Sequence, residues 1–455
     1  MRGISWRGNA LATLGFPLLH GARWRFRLGS SVGGATASPA TEPMTEMPSP
    51  TPTATPSADD AAPVAAETPP LLDFTASRGA FAMLLFRVSV LTTLTLGIYR
   101  FWGRTHVRRY LWARTRLFGE PLEYTGLASE LLVGFLVALA CLAPLGFSYA
   151  LIDALLGPGA DATRATLEAI YYAVLLSLFQ VARFRMWRYR LSRTSWRGIR
   201  FGLDGSTWQY LSLAVGWSLV TVLTLGLAYP WTAMALWRYR VQHSRFGTTM
   251  FEFAAEARPL VRPWLIAYAL PAGVLAALFF AVGGPEAWNQ AAAGNAAAIA
   301  AGRPLVAVGF VLLLLWPLLF GWYRVVQGRH VIGGIVLGSS RLVSGLTAAP
   351  LLGALVLSWL LIGLVSLGAV AMVVITSSPG AAPDDLILPG ALAALGVLTL
   401  APVVQGAIFR FALARRLCAT TTATDMAPLL AAVQAAREVP TRGEGLADAL
   451  DVGAI

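Results

Sequence analysis

Arg109-Tyr110, Thr115, Phe118-Gly119 and Glu123-Tyr124 are the fixed points of one hydrophilic stretch, and the chain writes it twice more. The second copy reads Arg188-Tyr189, Thr194, Trp196, Gly198 and Arg200-Phe201; the third reads Arg238-Tyr239, Ser244, Phe246-Gly247 and Glu252-Phe253. Each follows directly on a long apolar run. Leu94-Thr95-Leu96-Gly97 also recurs as Leu223-Thr224-Leu225-Gly226, with Trp102 and Trp231 five residues beyond the respective glycines. A period of this kind fixes architecture before any single residue does, and here it predicts a chain built by internal duplication.

The apolar runs set the class. They lie near 80–99, 131–152, 167–185, 208–230, 263–283, 304–323, 349–375 and 386–409. Each is about 20 residues, the length needed to cross a bilayer core, and only helices close their own backbone hydrogen bonds there. With 56% hydrophobic and 13% charged residues and a mean hydropathy of +0.63, an ordinary soluble domain, near a quarter charged, is excluded. The expected fold is an all-α polytopic membrane protein with short cytoplasmic strands between its helices.

Charge bears on topology. The net +12 comes from arginine alone, since the chain has no lysine. Codon usage in a GC-rich genome explains that, and recognition of phosphate or lipid headgroups by guanidinium groups is the alternative. Cytoplasmic segments should carry the Arg excess. Eight simple crossings would split the basic segments between the two faces. If runs one and four instead enter and return on one side, breaking at Gly97 and Gly226, every basic cluster shares one compartment. The sequence therefore predicts six full transmembrane helices plus two re-entrant segments, with Pro230 kinking the second return limb.

Organisation follows the repeat. Residues 1–70 are an Ala/Pro/Thr-rich stretch unable to bury a core, with a weak signal-peptide pattern or a start at Met44 or Met47 as explanations. The first membrane repeat covers 71–205 and the second 206–345, superposing at an offset of 129 residues. A shorter helix pair covers 346–416, and a polar tail covers 417–455. The charge–aromatic dipeptides beside glycine favour short strands; Asp73-Phe74 and the stretch from His330 to Leu337 are further copies. These strands form either one composite layer or separate hairpins.

Leu94 to Tyr99 with Trp102, Arg109-Tyr110, Thr115 and Gly119, then Leu223 to Gly226 with Pro230-Trp231, and Thr194 to Phe201 together resemble the YjgN family of bacterial inner-membrane proteins. The resemblance covers roughly 73–415 and implies inner-membrane residence and a multi-span fold. It implies no activity and no catalytic residue. The first copy departs from the family pattern, with Arg100-Phe101 where a proline commonly precedes the Trp.

Chemistry is sparse. No nucleophile elbow, Walker loop, zincin helix or dinucleotide fingerprint is present, so no enzymatic reaction and no cofactor are expected. His106, His243 and His330 fall in repeated segments but have no second ligand at metal spacing. No Asp or Glu lies in the interior of an apolar run, Asp153 and Glu168 only bordering two of them, which argues against a cation-coupled carrier; Gln180 and Gln405 are the most interior polar groups and can serve as interhelical hydrogen-bonders. Candidate pathway or helix-break residues are Gly97, Gly226, Arg87, Arg100 and Pro230, with snorkelling to the interface the better explanation of Arg87. Trp102, Arg109, Tyr110, Arg188, Tyr189, Trp231, Arg238 and Tyr239 fit the headgroup level of a membrane with anionic lipids. Two functions remain: a transporter or channel-like protein for a small solute or lipid, or a non-catalytic scaffold engaging a cytoplasmic protein or anionic lipid. Nucleic acid is not an expected partner.

Overall fold

The computed structural model describes residues 71–157, 159–376, 383–425 and 427–433; the expectations for 1–70 and for 434–455 lie outside them. The chain is mostly helical. Six helical stretches among the described residues are long and apolar enough to cross a membrane: Ala128–Leu155, Asp161–Ser192, Arg258–Ala281, Ala296–Gly333, Ala349–Thr376 and Asp384–Thr420. Their outward faces carry large apolar side chains such as Leu136, Phe310, Leu314, Leu360 and Leu367, more than half exposed. A helix apolar all round belongs in a core or in lipid.

Runs one and four take a different form. α1 (Arg78–Leu94) and α5 (Thr207–Leu223) are each 17 residues long. At 1.5 Å per residue that is about 25 Å, short of the roughly 30 Å hydrocarbon core. Each ends in a tight reversal and is followed by a helix that packs back on it: α2 (Arg100–Arg114) after α1, α6 (Tyr229–Gln242) after α5. The reversals use consecutive left-handed residues, Leu96 and Gly97 at φ 51° and 93°, Leu225 and Gly226 at φ 50° and 86°. Gly97 N donates to Thr92 O and Gly226 N to Thr221 O, both at 2.7 Å. Thr95 and Thr224 hydroxyls accept from Tyr99 N and Ala228 N. The return is complete, for Tyr110 near the end of α2 donates to Ser77 O at the start of α1 (3.5 Å), and Tyr239 of α6 donates to Ser206 O at the start of α5 (2.9 Å).

The remaining helices are α3 (Ala128–Leu155), α4 (Asp161–Ser192), α7 (Arg258–Trp264), α8 (Leu270–Ala281), α9 (Gly284–Ala292), α10 (Ala296–Ala301), α11 (Arg303–Gly333), α12 (Ala349–Thr376), α13 (Ile387–Gln405), α14 (Phe411–Thr420) and α15 (Ala427–Leu430). π turns at Leu265–Ala269 and Gly406–Arg410 join α7 to α8 and α13 to α14. Both serve the hairpins. Trp264 Nε1, at the end of α7, and Tyr268 OH, in the first π turn, donate to Gly226 O (2.9 Å) and Leu225 O (2.7 Å) at the α5–α6 tip. The second packs its Gly406 against Leu85 of α1, too closely for any β-carbon.

Short strands gather where helices end: β1 (Leu72–Phe74), β2 (Thr115–Leu117), β3 (Glu120–Pro121), β4 (Glu123–Tyr124), β5 (Thr194–Trp196), β6 (Ile199–Leu203), β7 (Ser244–Phe246), β8 (Thr249–Met250), β9 (Glu252–Phe253), β10 (Ile335–Leu337), β11 (Ser340–Ser344) and β12 (Thr421–Ala423). They pair antiparallel in three sheets, β1-β2-β3, β4-β5-β6-β7-β8 and β9-β10-β11-β12. Strands from different segments do pair, though in three sheets rather than one: β4 pairs with β5 as Tyr124 opposite Thr194, and β6 with β7 as Phe201 opposite Phe246. Phe118-Gly119 and Arg197-Gly198 turn with positive φ at both residues, the hairpin geometry that follows strand twist. The third residues of four strands, Leu117, Trp196, Phe246 and Leu337, meet in one apolar core with Leu71 and Ala432. Residues 421–423, assigned from composition to the polar tail, form β12 on the edge of β11; three small residues after a helix leave too little pattern to announce a strand.

The repeated hydrophilic motif is the joint between helix and strand. Thr115, Thr194 and Ser244 hydroxyls donate one turn back, to Leu111 O, Arg190 O and Ser244's own fourth predecessor, Arg240 O, at 3.0, 2.8 and 2.7 Å. Those bonds satisfy carbonyls that helix ends leave open. Arg109, Arg188 and Arg238 each reach past the strands to a carbonyl ahead of the next helix: Gly126 O at 3.0 Å, Gly205 O, and Ala255 O at 3.2 Å.

Candidate functional site

Beside the α5–α6 hairpin, where α4 and α11 pass it, lies a cavity of about 220 Å³. α4 supplies Gln180 and Arg183, α5 Ser218 and Thr221, α6 Tyr229, Thr232, Trp237 and Arg240, and α11 Arg324 and Gln327. The hairpin floor is tied by the Thr221 and Thr232 hydroxyls, 2.6 Å apart, with Thr232 also donating to Trp217 O. That link needs small polar residues on both limbs, which the sequence provides.

Arg240 is the central group. It is 3% exposed, its Nε donates to Leu236 O at 3.1 Å, and its Nη1 has no hydrogen-bond partner. Its guanidinium lies 4.0 Å from the Trp237 ring centroid and 5.4 Å from that of Trp187, two cation–π contacts that hold the plane in place. Arg183 and Arg324, both of its own sign, share the lining with it. Among the described residues no Asp or Glu lines the cavity. Gln327, 2% exposed, accepts from Arg324 Nη1 at 2.9 Å, while its Nε2 has no partner; Gln180, 7% exposed, has an unpartnered Oε1. A buried cation without a counter-charge is expensive, and buried polar groups are as a rule bonded. Three guanidinium groups thus line the cavity, and in the same lining residues two buried donors and one buried acceptor have no partner.

The residues expected from sequence fall elsewhere. Pro230 is fully buried near the start of α6, next in the chain to the cavity's Tyr229. Gly97 and Gly226 form the hairpin tips, flanked by Leu96 and Leu225, which are 92% and 80% exposed; neither glycine lines the cavity. Arg87 and Arg100 are exposed on the first hairpin. Trp102 and Trp231 are about two-fifths exposed at matching places on α2 and α6, whereas Tyr189 is buried and donates to Glu130 Oε2 at 2.9 Å. His106, His243 and His330 stay apart: His243 Nδ1 lies 2.7 Å from Tyr239 O, and His330 Nε2 2.7 Å from Glu256 O. Among the described residues no group of three or more His, Cys, Asp or Glu could hold a metal ion.

Sequence reasoning found Gln180 and missed Arg183, Arg240 and Arg324. One signal was present: Arg183 and Arg324 each lie eleven residues ahead of the strand that ends their helix, β5 or β10. The class that emerges is a bundle of span-length apolar helices with a strand layer at the helix ends and an arginine-lined cavity inside. The chain belongs to the family described as "Bacterial protein of unknown function (DUF898)", whose model matches residues 69–449. No curated protein and no solved structure matches it.

Proposed function

We propose that this chain is a multi-pass protein of the bacterial inner membrane that binds and passes a small solute or lipid through the cavity between α4, α5, α6 and α11. The observation that carries this is a cavity lined by three arginines and two buried glutamines with unpaired atoms, inside a bundle of apolar helices. Such groups at depth are rare unless they serve a ligand or a pathway. Broken helical hairpins at corresponding places in two repeats are the arrangement around which many carriers build their sites.

In this arrangement the six long helices span the bilayer and the two hairpins enter it halfway. Their apolar tips sit in lipid, and their basic ends share the cytoplasmic face with the strand layer. Matching bonds at a 129-residue offset, Tyr110 to Ser77 and Tyr239 to Ser206, support duplication of the first two units. A scaffold role is the second reading, favoured by the strand layer, whose apolar core at Trp196 and Phe246 is built independently of the cavity.

Two measurements test the proposal. Cysteines placed at 112, 235 and 197 should all react with a membrane-impermeant maleimide from one face; labelling of 112 or 235 from the opposite face ends the half-crossing arrangement. Solute flux in liposomes should fall when Ser218→Trp fills the cavity, and an unchanged flux in a folded variant removes the cavity from any pathway.

A further inference from the structure

From the same cavity we infer the chemistry of its occupant: a phosphate group carrying or adjoining a hydroxyl. The inference rests on the cavity being a ligand site, the premise of the proposed function, but not on transport.

Charge comes first. Arg183, Arg240 and Arg324 converge from three helices with no carboxylate in the lining among the described residues. Structural arginines in a protein interior are paired with acids or carbonyls. Here Arg240 is nine-tenths buried or more, gives one bond to Leu236 O and leaves Nη1 free. Arg183 and Arg324 raise the local positive potential rather than relieve it. An anion is what such a set lacks, and guanidinium forks match tetrahedral oxyanions bidentately.

The remaining unpaired atoms narrow the class. Gln327 Nε2 is a donor and suits a further anionic oxygen. Gln180 Oε1 is an acceptor, and it requires a donor on the ligand. Chloride and sulfate at neutral pH carry none. Hydrogen phosphate and the glycerol phosphate headgroup of phosphatidylglycerol each carry a hydroxyl beside the phosphate oxygens. Size agrees, since about 220 Å³ is below the few hundred cubic ångströms typical of drug-sized ligands and suits one headgroup or small anion.

Position admits both sources. Arg183 lies nine residues before the end of α4, about 14 Å along the axis, near the close of the apolar run, where lipid phosphates lie. A soluble phosphate entering from the strand-layer side would meet the same three arginines. The two tryptophans flanking Arg240 keep its plane fixed in either case.

The experiment uses the full chain in nanodiscs. In neutral phosphatidylcholine discs, radiolabelled inorganic phosphate is titrated against the parent, with sulfate as competitor. In a second arm, native mass spectrometry counts phosphatidylglycerol retained from mixed discs. The parent should show saturable phosphate binding that sulfate displaces poorly, or preferential retention of phosphatidylglycerol; the first identifies a soluble source and the second a lipid. Arg183→Gln and Arg324→Gln, both half-buried and outside the Trp stack, should each weaken the observed binding by about tenfold or more. Arg116→Gln, on an exposed strand position, should leave it unchanged. A folded parent with no saturable binding in either arm, or binding equal in the Arg183→Gln/Arg324→Gln double variant, overturns the inference. Failed flux with intact phosphate binding overturns transport alone; flux of an uncharged solute without anion binding overturns this inference alone.

Discussion

Replacing the two hairpin glycines by alanine should destabilise the protein unequally. Gly97 and Gly226 share the left-handed backbone, at φ 93° and 86°. A β-carbon in that region costs about 1–2 kcal/mol at either position. Surroundings separate them. Nothing lies within 4 Å of a β-carbon added at Gly97, whereas one at Gly226 would come to 2.8 Å from the Tyr268 ring and hydroxyl. Tyr268 cannot withdraw freely, because its hydroxyl donates to Leu225 O at 2.7 Å and its ring stacks on Trp264 at 4.9 Å. Overpacking of that kind adds about 1–3 kcal/mol, and loss of the tyrosine bond adds about 1 kcal/mol. Gly226→Ala should therefore exceed Gly97→Ala by roughly 2–4 kcal/mol, seen as a lower thermal midpoint in detergent by tryptophan fluorescence. In the Gly226→Ala/Tyr268→Ala double variant the clash has no partner, so the two losses should fall short of additivity by more than about 1 kcal/mol. Equal losses at the two glycines, or strict additivity, would refute the assignment of Tyr268 as the constraint.

Other substitutions probe the joints and cores. Trp196→Ala empties a 1%-exposed position in the strand layer and deletes the bond from its Nε1 to Leu117 O; a loss of about 3–5 kcal/mol is expected, measured by chemical denaturation. Thr232→Val removes the 2.6 Å hydroxyl link to Thr221 and should lower stability by about 0.5–1.5 kcal/mol in the same assay. Arg238→Gln forfeits the guanidinium bond to Ala255 O, which at this exposed position should remove about 1 kcal/mol and increase protease cutting between β9 and α7. A denaturation midpoint unmoved by Thr232→Val would show that the two hairpin limbs are held by packing alone.

Much of the scaffold was legible because its joints are local. The Arg-Tyr-Thr spacing reports a helix end, a strand and the carbonyl beyond it, all within one short stretch, and Leu-Thr-Leu-Gly reports a reversal that glycine alone relieves. The partners of those strands were not legible: β4 joins β5, and β11 joins β12, across whole helix pairs, and alternation says nothing about such distances. The cavity was harder still. Arg183 and Arg324 sit near the end of an apolar run, where an arginine ordinarily reaches toward water, and Arg240 sits in the repeated hydrophilic stretch. Only the convergence of three helices, and the lack of any acid among them, distinguishes these three from the rest. Gln180 drew notice by its depth, yet its unpaired oxygen depends on neighbours that sequence order keeps far apart.

The meeting of the two chain regions at one seam constrains biogenesis. Phe74 beside β2 touches Phe411, their ring centroids 5.5 Å apart, and Phe81 of α1 also meets Phe411. α1, the first helix among the described residues, therefore waits, one face uncovered, until α14 is released. A nascent polypeptide stalled before residue 411 would offer that raw surface to insertases and membrane proteases, giving the cell a window in which to discard unfinished copies.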